Sequence, residues 1–173
     1  SALILQRLQS ALVPLQQQRR QQAEDAYNAG QTDVTALFLA EQASIQLDRT
    51  GEADAAMLRV QAEYPDLADY AISIRADDHF AKARYTQSAA LYQQVMERYP
   101  RSSLAERAAY ERARALLESS SVLPAIEAFE AFLQDHSRSE FAPDSGVGLG
   151  RALLADARPL ESARAFRAVS VAY

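Results

Sequence analysis

Few side chains in this sequence could act on a substrate, and their spacing argues against most reactions. His79 and His136 are its two histidines. They are far apart, and neither has a second nitrogen ligand or a cysteine near it, so no zinc-type ligand set is spelled out. The chain has no cysteine, which removes thiol catalysis, disulfide scaffolds and cysteine metal sites. His79, next to Asp77 and Asp78, reads as a solvated helix end. Gly146, Gly148 and Gly150 have the look of a phosphate loop, but no strand precedes them and no Lys-Ser/Thr follows. They read instead as points of close helix approach. Ser145 does not stand in a Gly-x-Ser-x-Gly elbow, and Ser119-Ser120-Ser121 is a loop, so no serine nucleophile is expected. No catalytic residue, cofactor-binding residue or metal ligand is therefore assigned, and no cofactor is expected.

The remaining chemistry is recognition. Arg107, Tyr110, Glu111, Arg114 and Glu118 recur at spacings of three and four, which puts them on one face of a helix opposite Ala105, Ala109 and Leu116. Two guanidinium groups around a phenol suit a carboxylate or an anionic saccharide stem. The same face can equally be a solvated one in which Glu111 and Glu118 neutralise the arginines.

The elements that carry this face are helical. The 173 residues, with a formal charge of -5, fit one compact domain or one short repeat array. A net acidic chain has no global attraction for nucleic acid or anionic lipid, so no nucleic-acid partner is expected. Its apolar stretches are only a few residues long, so neither a transmembrane segment nor a signal peptide is expected. The 35 alanines, 15 glutamines and 17 arginines against the single Lys82 all suit helix interiors, and no window alternates like a strand. The pattern predicts helices at 2–29, 34–48, 52–63, 67–82, 85–98, 103–118, 122–135, 143–156 and 159–171. Gly30, Gly51 and the Ser119-Ser120-Ser121 loop before Pro124 mark stops and starts.

An internal repeat organises most of these helices. Tyr64-Pro65-Asp66-Leu67-Ala68, Tyr99-Pro100-Arg101-Ser102-Ser103-Leu104-Ala105 and His136-Ser137-Arg138-Ser139-Glu140-Phe141-Ala142 each close one helix and open the next, and Ala172-Tyr173 ends in the same phase. The aromatic or His position recurs at intervals of 35, 37 and 37 residues. His136 thus stands in a tyrosine slot and reads as a partly buried packing residue. Before each junction comes a small residue followed by larger ones: Ala53-Met57-Val60, Ser88-Tyr92-Val95, Ala125-Phe129-Phe132 and Ser162-Phe166-Val169. Small at the crossing and large toward the core is what two closely packed helices require. Short connections make neighbours antiparallel, and pairs must stack to bury their apolar faces.

At these residues the chain resembles the tetratricopeptide-repeat family, over about residues 34 to 173, departing from it at Ser137, where proline is missing. The resemblance implies an all-α, right-handed superhelix of antiparallel helix pairs, about four pairs plus a long N-terminal helix. The expected division is 1–33 for that helix and its turn, and repeats at 34–66, 67–102, 103–139 and 140–173. Tyr99-Pro100-Arg101-Ser102 and Arg158-Pro159-Leu160-Glu161-Ser162-Ala163-Arg164-Ala165-Phe166 look typical of the bacterial envelope branch of the family. Tyr64-Pro65-Asp66-Leu67-Ala68-Asp69-Tyr70-Ala71 and Ala163-Arg164-Ala165-Phe166-Arg167-Ala168-Val169 are also similar to the non-catalytic superhelical region of soluble lytic murein transglycosylases. Ser139-Glu140-Phe141 through Gly150 echoes the acid-bearing motif of that family, but no Met-Gln follows Gly150, and the repeat phase explains the segment as the start of the last pair. The N-terminal stretch breaks the pattern: a stripe of Leu5, Leu8, Leu12 and Leu15 gives way to the polar run from Gln16 to Gln22, with Pro14 starting or kinking the helix. Pro14-Leu15, Ala23 to Asp33 and Ala36 to Glu41 are similar to the periplasmic helical hairpin of outer-membrane efflux proteins, without the membrane strands such a channel needs.

The family resemblance further implies that the first helix of each pair lines a concave groove. Tyr70, Asp77, Arg107, Tyr110, Arg114 and Arg151 would then face inward as candidate binding residues. The expected function is a non-catalytic interaction scaffold of the bacterial cell envelope, periplasmic in location. It is read either as the superhelical arm of a lytic murein transglycosylase or as a freestanding peptide-binding module of an envelope assembly or secretion complex. Its partner is a protein or peptide, with peptidoglycan glycan strands as the alternative. Tyr173 stops where the repeat's proline should follow, so a fragment of a longer protein is expected, with Phe166, Val169 and Val171 partly exposed and available for self-association or an adjoining domain.

Overall fold

The computed structural model describes residues 50–172. They form α1 (Thr50–Glu63), a 3-10 turn (Pro65–Leu67), α2 (Ala68–Ala81), α3 (Tyr85–Arg98), α4 (Ala105–Glu118), α5 (Val122–Asp135), α6 (Ala142–Ala155) and α7 (Pro159–Ala172). The described residues contain no strand, and none of their helices is long and apolar enough to cross a membrane. The fold class expected from composition and periodicity is all-α, and it is what the described residues adopt. The spans 85–98 and 122–135 coincide with α3 and α5, and the other described helices differ from expectation by only a residue or two at an end. The expected helices 2–29 and 34–48, and the residues of the efflux-protein resemblance, lie outside the described residues.

The chain divides into two compact units, Ser1–Ala71 and Ile72–Tyr173. In the first, Met57 and Val60 of α1 and Ala68 and Ala71 at the start of α2 are buried. In the second, the rest of α2 and helices α3 to α7 follow one another in an antiparallel stack, with α4 also touching α6. One core cluster of this unit joins Tyr110 and Ala113 of α4, Ile126, Phe129 and Phe132 of α5, and Ala152 and Leu153 of α6. At about 25 cal/mol per Å² of apolar surface removed from water, this burial is the main force holding the stack.

Each turn between the helices of a pair is built alike. Ala83, Ser120 and Ala157 lie at left-handed φ of 56°, 61° and 57°, one after each first helix and 37 residues apart in sequence. The next amide in each case reaches back to close the helix: Arg84 N–H donates to the His79 carbonyl at 2.8 Å, Ser121 to Leu116 at 2.9 Å and Arg158 to Leu153 at 2.9 Å. The junctions between pairs repeat as well. Tyr99 N–H donates to Val95 at 2.9 Å, and His136 N–H to Phe132 at 2.8 Å. The Ser102 and Ser139 hydroxyls then accept from the amides of Leu104 and Phe141 at 3.0 and 3.1 Å. Pro100 is present in one junction and Ser137 in the other, so the serine-capped turn, common to both, does not need the proline.

The small residues sit where the helices cross. Ser88 and Ser162 are buried, and their hydroxyls donate to the carbonyls of Ala76 at 2.9 Å and Gly150 at 2.7 Å on the preceding helix. Ala125, buried at the equivalent place, brings no hydroxyl. The glycines of α6 admit its neighbours on two sides. A Cβ on Gly148 would lie 2.4 Å from the Phe129 ring, one on Gly150 2.6 Å from the Phe166 ring, and one on Gly146 2.3 Å from Val169 Cγ2. Close approach, rather than phosphate binding, accounts for the three. Toward the end of the stack Phe166 is 39% and Val171 81% exposed, with Val169 half-buried.

Candidate functional site

Three helices contribute to the first polar cluster of the second unit. Arg107 of α4 directs Nη2 at both carboxylate oxygens of Asp77 on α2, at 2.8 and 3.0 Å. The Tyr92 hydroxyl, from the buried face of α3, donates to the same carboxylate. Burial, then the hydrogen bond to Asp77 and its negative charge, hold the Tyr92 phenol far above its ordinary pKa, so it remains a donor. The Arg107 and Asp77 side chains are 40% and 41% exposed, so water screens the pair and it contributes about 0–1 kcal/mol. Its effect is geometric: it joins the first helices of consecutive pairs.

The next charges along α4 are paired in the same way. Arg114 donates to Glu111 Oε2 at 2.7 Å and lies over the rings of Phe80 and Tyr110, 4.8 and 5.6 Å from their centroids. Burial pushes the Glu111 carboxyl above the usual range, and the nearby Arg114 and Arg107 only partly offset it. Arg151 on α6 donates to Glu118 Oε1 at 3.2 Å. Tyr110 is 8% exposed, with its ring stacked on Phe141 at 4.9 Å and tilted against Phe132 at 6.0 Å. Burial raises its phenol pKa, against the positive charge of Arg114.

Between α4 and α6 lies an open groove of about 420 Å³. Tyr110, Arg114, Leu117 and Glu118 form its α4 wall, Asp144, Val147 and Arg151 its α6 wall, and Phe129 with Gly148 its floor. A smaller hollow of about 240 Å³ between α3 and α4 is lined mainly by apolar and hydroxyl side chains, with Arg112 its one charge.

Of the six residues proposed from sequence, Arg107 meets Asp77 in one cluster, while Tyr110, Arg114 and Arg151 line the groove. Tyr70 belongs to the first unit, where it is 52% exposed. Several expectations need correction. Tyr110 is wedged into the core and shows the groove only part of its surface. The α4 face is not simply solvated opposite an alanine side, because Ala108, Ala113 and Ala115 are buried and the other flank is half-buried between α3, α5 and α6. Arg107 is neutralised by Asp77 rather than by a glutamate of its own helix. His79 is not a solvated helix end: it is 8% exposed, 3.5 Å from the fully buried Arg75. Arg75 is itself bridged to Asp78 at 3.0 Å. His136 does pack, 5.0 Å from the Phe132 ring centroid, with Nδ1 3.5 Å from Glu106. Glu140 is exposed on the turn before α6, whereas a general acid needs burial to hold its proton.

Asp144, Leu117 and Val147 were not anticipated. The 37-residue interval could have found Asp144, since it sets that residue at the place of Arg107, and Arg114 at the place of Asp77.

Comparison with solved structures fixes the type of fold. A structure described as MamA AMB-1 superposes with a TM-score of 0.67 at 16% identity, covering 94% of this chain and 92% of that one. A second MamA AMB-1 structure gives a TM-score of 0.65 at 16% identity, over 94% of this chain and 92% of that one. A Podosopora anserina putative kinesin light chain with nearly identical TPR-like repeats superposes with a TM-score of 0.63 at 16% identity, over 94% of this chain and 95% of that one. The fold is that of a TPR-like helical repeat. No family model and no curated protein matches the sequence. At such identities the likeness shows the TPR-like fold alone, and the transglycosylase and envelope expectations rest on the sequence phrases.

Proposed function

We propose that this chain is a non-catalytic, TPR-like interaction scaffold that grips an extended peptide segment of a protein partner along the first helices of its pairs. The observation that carries this reading is the groove between α4 and α6, open to solvent and walled by side chains of two consecutive first helices. Such a surface offers an extended chain both charged and aliphatic contacts, and no constellation of nucleophile, base and acid accompanies it among the described residues. Of the two finer readings, the freestanding peptide-binding module draws support from this groove. The transglycosylase arm and the glycan partner draw theirs from the Tyr64 to Ala71 and Ala163 to Val169 phrases, and the periplasmic or envelope location from Tyr99 to Ser102 and Arg158 to Phe166.

Photo-crosslinking tests the scaffold. A benzophenone amino acid at Val147, 40% exposed in the groove, is compared with one at Leu123, 58% exposed on α5 outside it. Discrete protein adducts at Val147 and none at Leu123 are expected in the natural host. Adducts at Leu123 alone, or none at either, refute the reading. Fractionation of the same cells, with the chain detected by antibody, tests the envelope location.

A further inference from the structure

Resting on that scaffold reading, we infer that the groove between α4 and α6 is a subsite for one basic side chain of the bound peptide, its cation held by Asp144 and its aliphatic neighbours by Leu117 and Val147.

The repeats of the second unit can be laid over one another. First helices begin at Ala68, Ala105 and Ala142, and second helices at Tyr85, Val122 and Pro159, so residues 37 apart occupy equivalent places. Across α2 and α4, Asp77 and Arg107 close the way between the helices with a two-contact bridge, and Tyr92 serves the carboxylate from below. One repeat later the same three places hold Arg114, Asp144 and Phe129. The signs are exchanged and the bridge is not made. Arg114 is tied to Glu111 and held over two rings. Asp144 is exposed and takes part in no ion pair or side-chain hydrogen bond among the described residues. Phe129 has no hydroxyl to serve it. Gly148 stands where α4 has Glu111, so α6 brings no second carboxylate at that place, and the Phe129 ring packs against its backbone instead. The outcome is a groove where the preceding repeat has a closed contact.

Charge decides what enters. The groove's lining holds two positive and two negative side chains, but Arg114 and Arg151 are already answered by Glu111 and Glu118 at 2.7 and 3.2 Å, so Asp144 is the lining charge left without an opposite one. A carboxylate, the ligand that the arginine spacing suggests, is repelled, and a guanidinium or ammonium is attracted. Leu117 and Val147 line the flanks, so an arginine or lysine stem lies on apolar surface while its head meets Asp144. About 420 Å³ falls in the range, roughly 300–1,000 Å³, of sites that take small ligands.

The test uses the full chain with labelled leucine and valine methyl groups, titrated with acetyl-Leu-Arg-Val-amide and acetyl-Leu-Glu-Val-amide and followed by NMR. The arginine peptide is expected to move the Leu117 and Val147 methyl signals saturably, the glutamate peptide to leave them in place, and Asp144→Asn to weaken the arginine peptide by about two- to fivefold with the helical spectrum unchanged. Equal response to both peptides, no response to the arginine peptide, or undiminished affinity in the Asp144→Asn chain overturns the inference. Crosslinks at Val147 together with a groove indifferent to the arginine peptide would remove this subsite and keep the scaffold. Loss of the crosslinks would remove the scaffold itself.

Discussion

Gly148→Ala measures how tightly the helices of the second unit approach. The added Cβ would lie 2.4, 2.6 and 2.9 Å from three atoms of the Phe129 ring, against a normal carbon–carbon separation of about 3.5–4.0 Å. The ring has little freedom: Phe129 is 0% exposed and belongs to the core cluster with Ile126, Phe132 and Leu153, so it can shift only toward the groove that it borders. Overfilling such a site costs about 1–3 kcal/mol, and replacing a mid-helix glycine by alanine returns about 1 kcal/mol. The net loss is therefore about 0–2 kcal/mol, a fall in Tm of up to about 8 °C for a chain of this size. Two further glycines grade the effect. Gly150→Ala meets Phe166, which is 39% exposed and can swing outward, so its net change is expected near zero. Gly51→Ala meets nothing within 4 Å and is expected to stabilise by a few tenths of a kcal/mol, up to about 1. Urea unfolding followed by far-ultraviolet circular dichroism gives all three values. In a Phe129→Leu background the penalty of Gly148→Ala should shrink, since the two changes share one contact. Equal shifts for all three glycines, or an undiminished penalty in that background, would refute the close-approach account.

Three other substitutions follow from single observations. Ser145 is fully buried and its hydroxyl has no hydrogen-bond partner, so Ser145→Ala should be neutral or stabilising by up to about 1 kcal/mol in the same urea assay. Ala83, Ser120 and Ala157 hold left-handed φ without being glycine, and glycine at each should raise stability by about 0.5–1 kcal/mol, read as an upward shift of the unfolding midpoint. Glu111 has a raised carboxyl pKa in the folded chain, so the folded state binds its proton more tightly than the unfolded one. Wild type should therefore gain stability relative to Glu111→Gln as pH falls through the raised value toward the unfolded value of about 4.3, and the difference should stay flat at higher pH. Paired melts at pH 7 and pH 5 check the sign.

Much of the fold was legible because helix formation and pairing are set locally. The recurring tyrosine or histidine junction marks where a helix ends and the small-then-large pattern the side it buries, which is why α3, ending before Tyr99-Pro100, and α5, ending before His136, coincide with their expected spans. The left-handed turns escaped notice because Ala83, Ser120 and Ala157 are not residues that advertise such a φ. His79 misled for a similar reason. Flanking acids suggest a wet helix end, yet one of them, Asp78, holds the buried Arg75 that covers it. At the candidate site the sequence placed Arg107, Tyr110 and Arg114 on one helix but could not say which charges they would meet. Asp77 lies 30 residues from Arg107, and a partner at that distance is fixed only when consecutive pairs stack.

The sequence by itself determined the helices, their period and the glycine and serine positions at which they cross, since each depends on a residue and its near neighbours. Tertiary structure decided which carboxylate of the groove stays unpaired. Glu111 meets Arg114 three residues along its own helix, but only stacking gives Asp77 to Arg107 and Glu118 to Arg151 and leaves Asp144 facing open space.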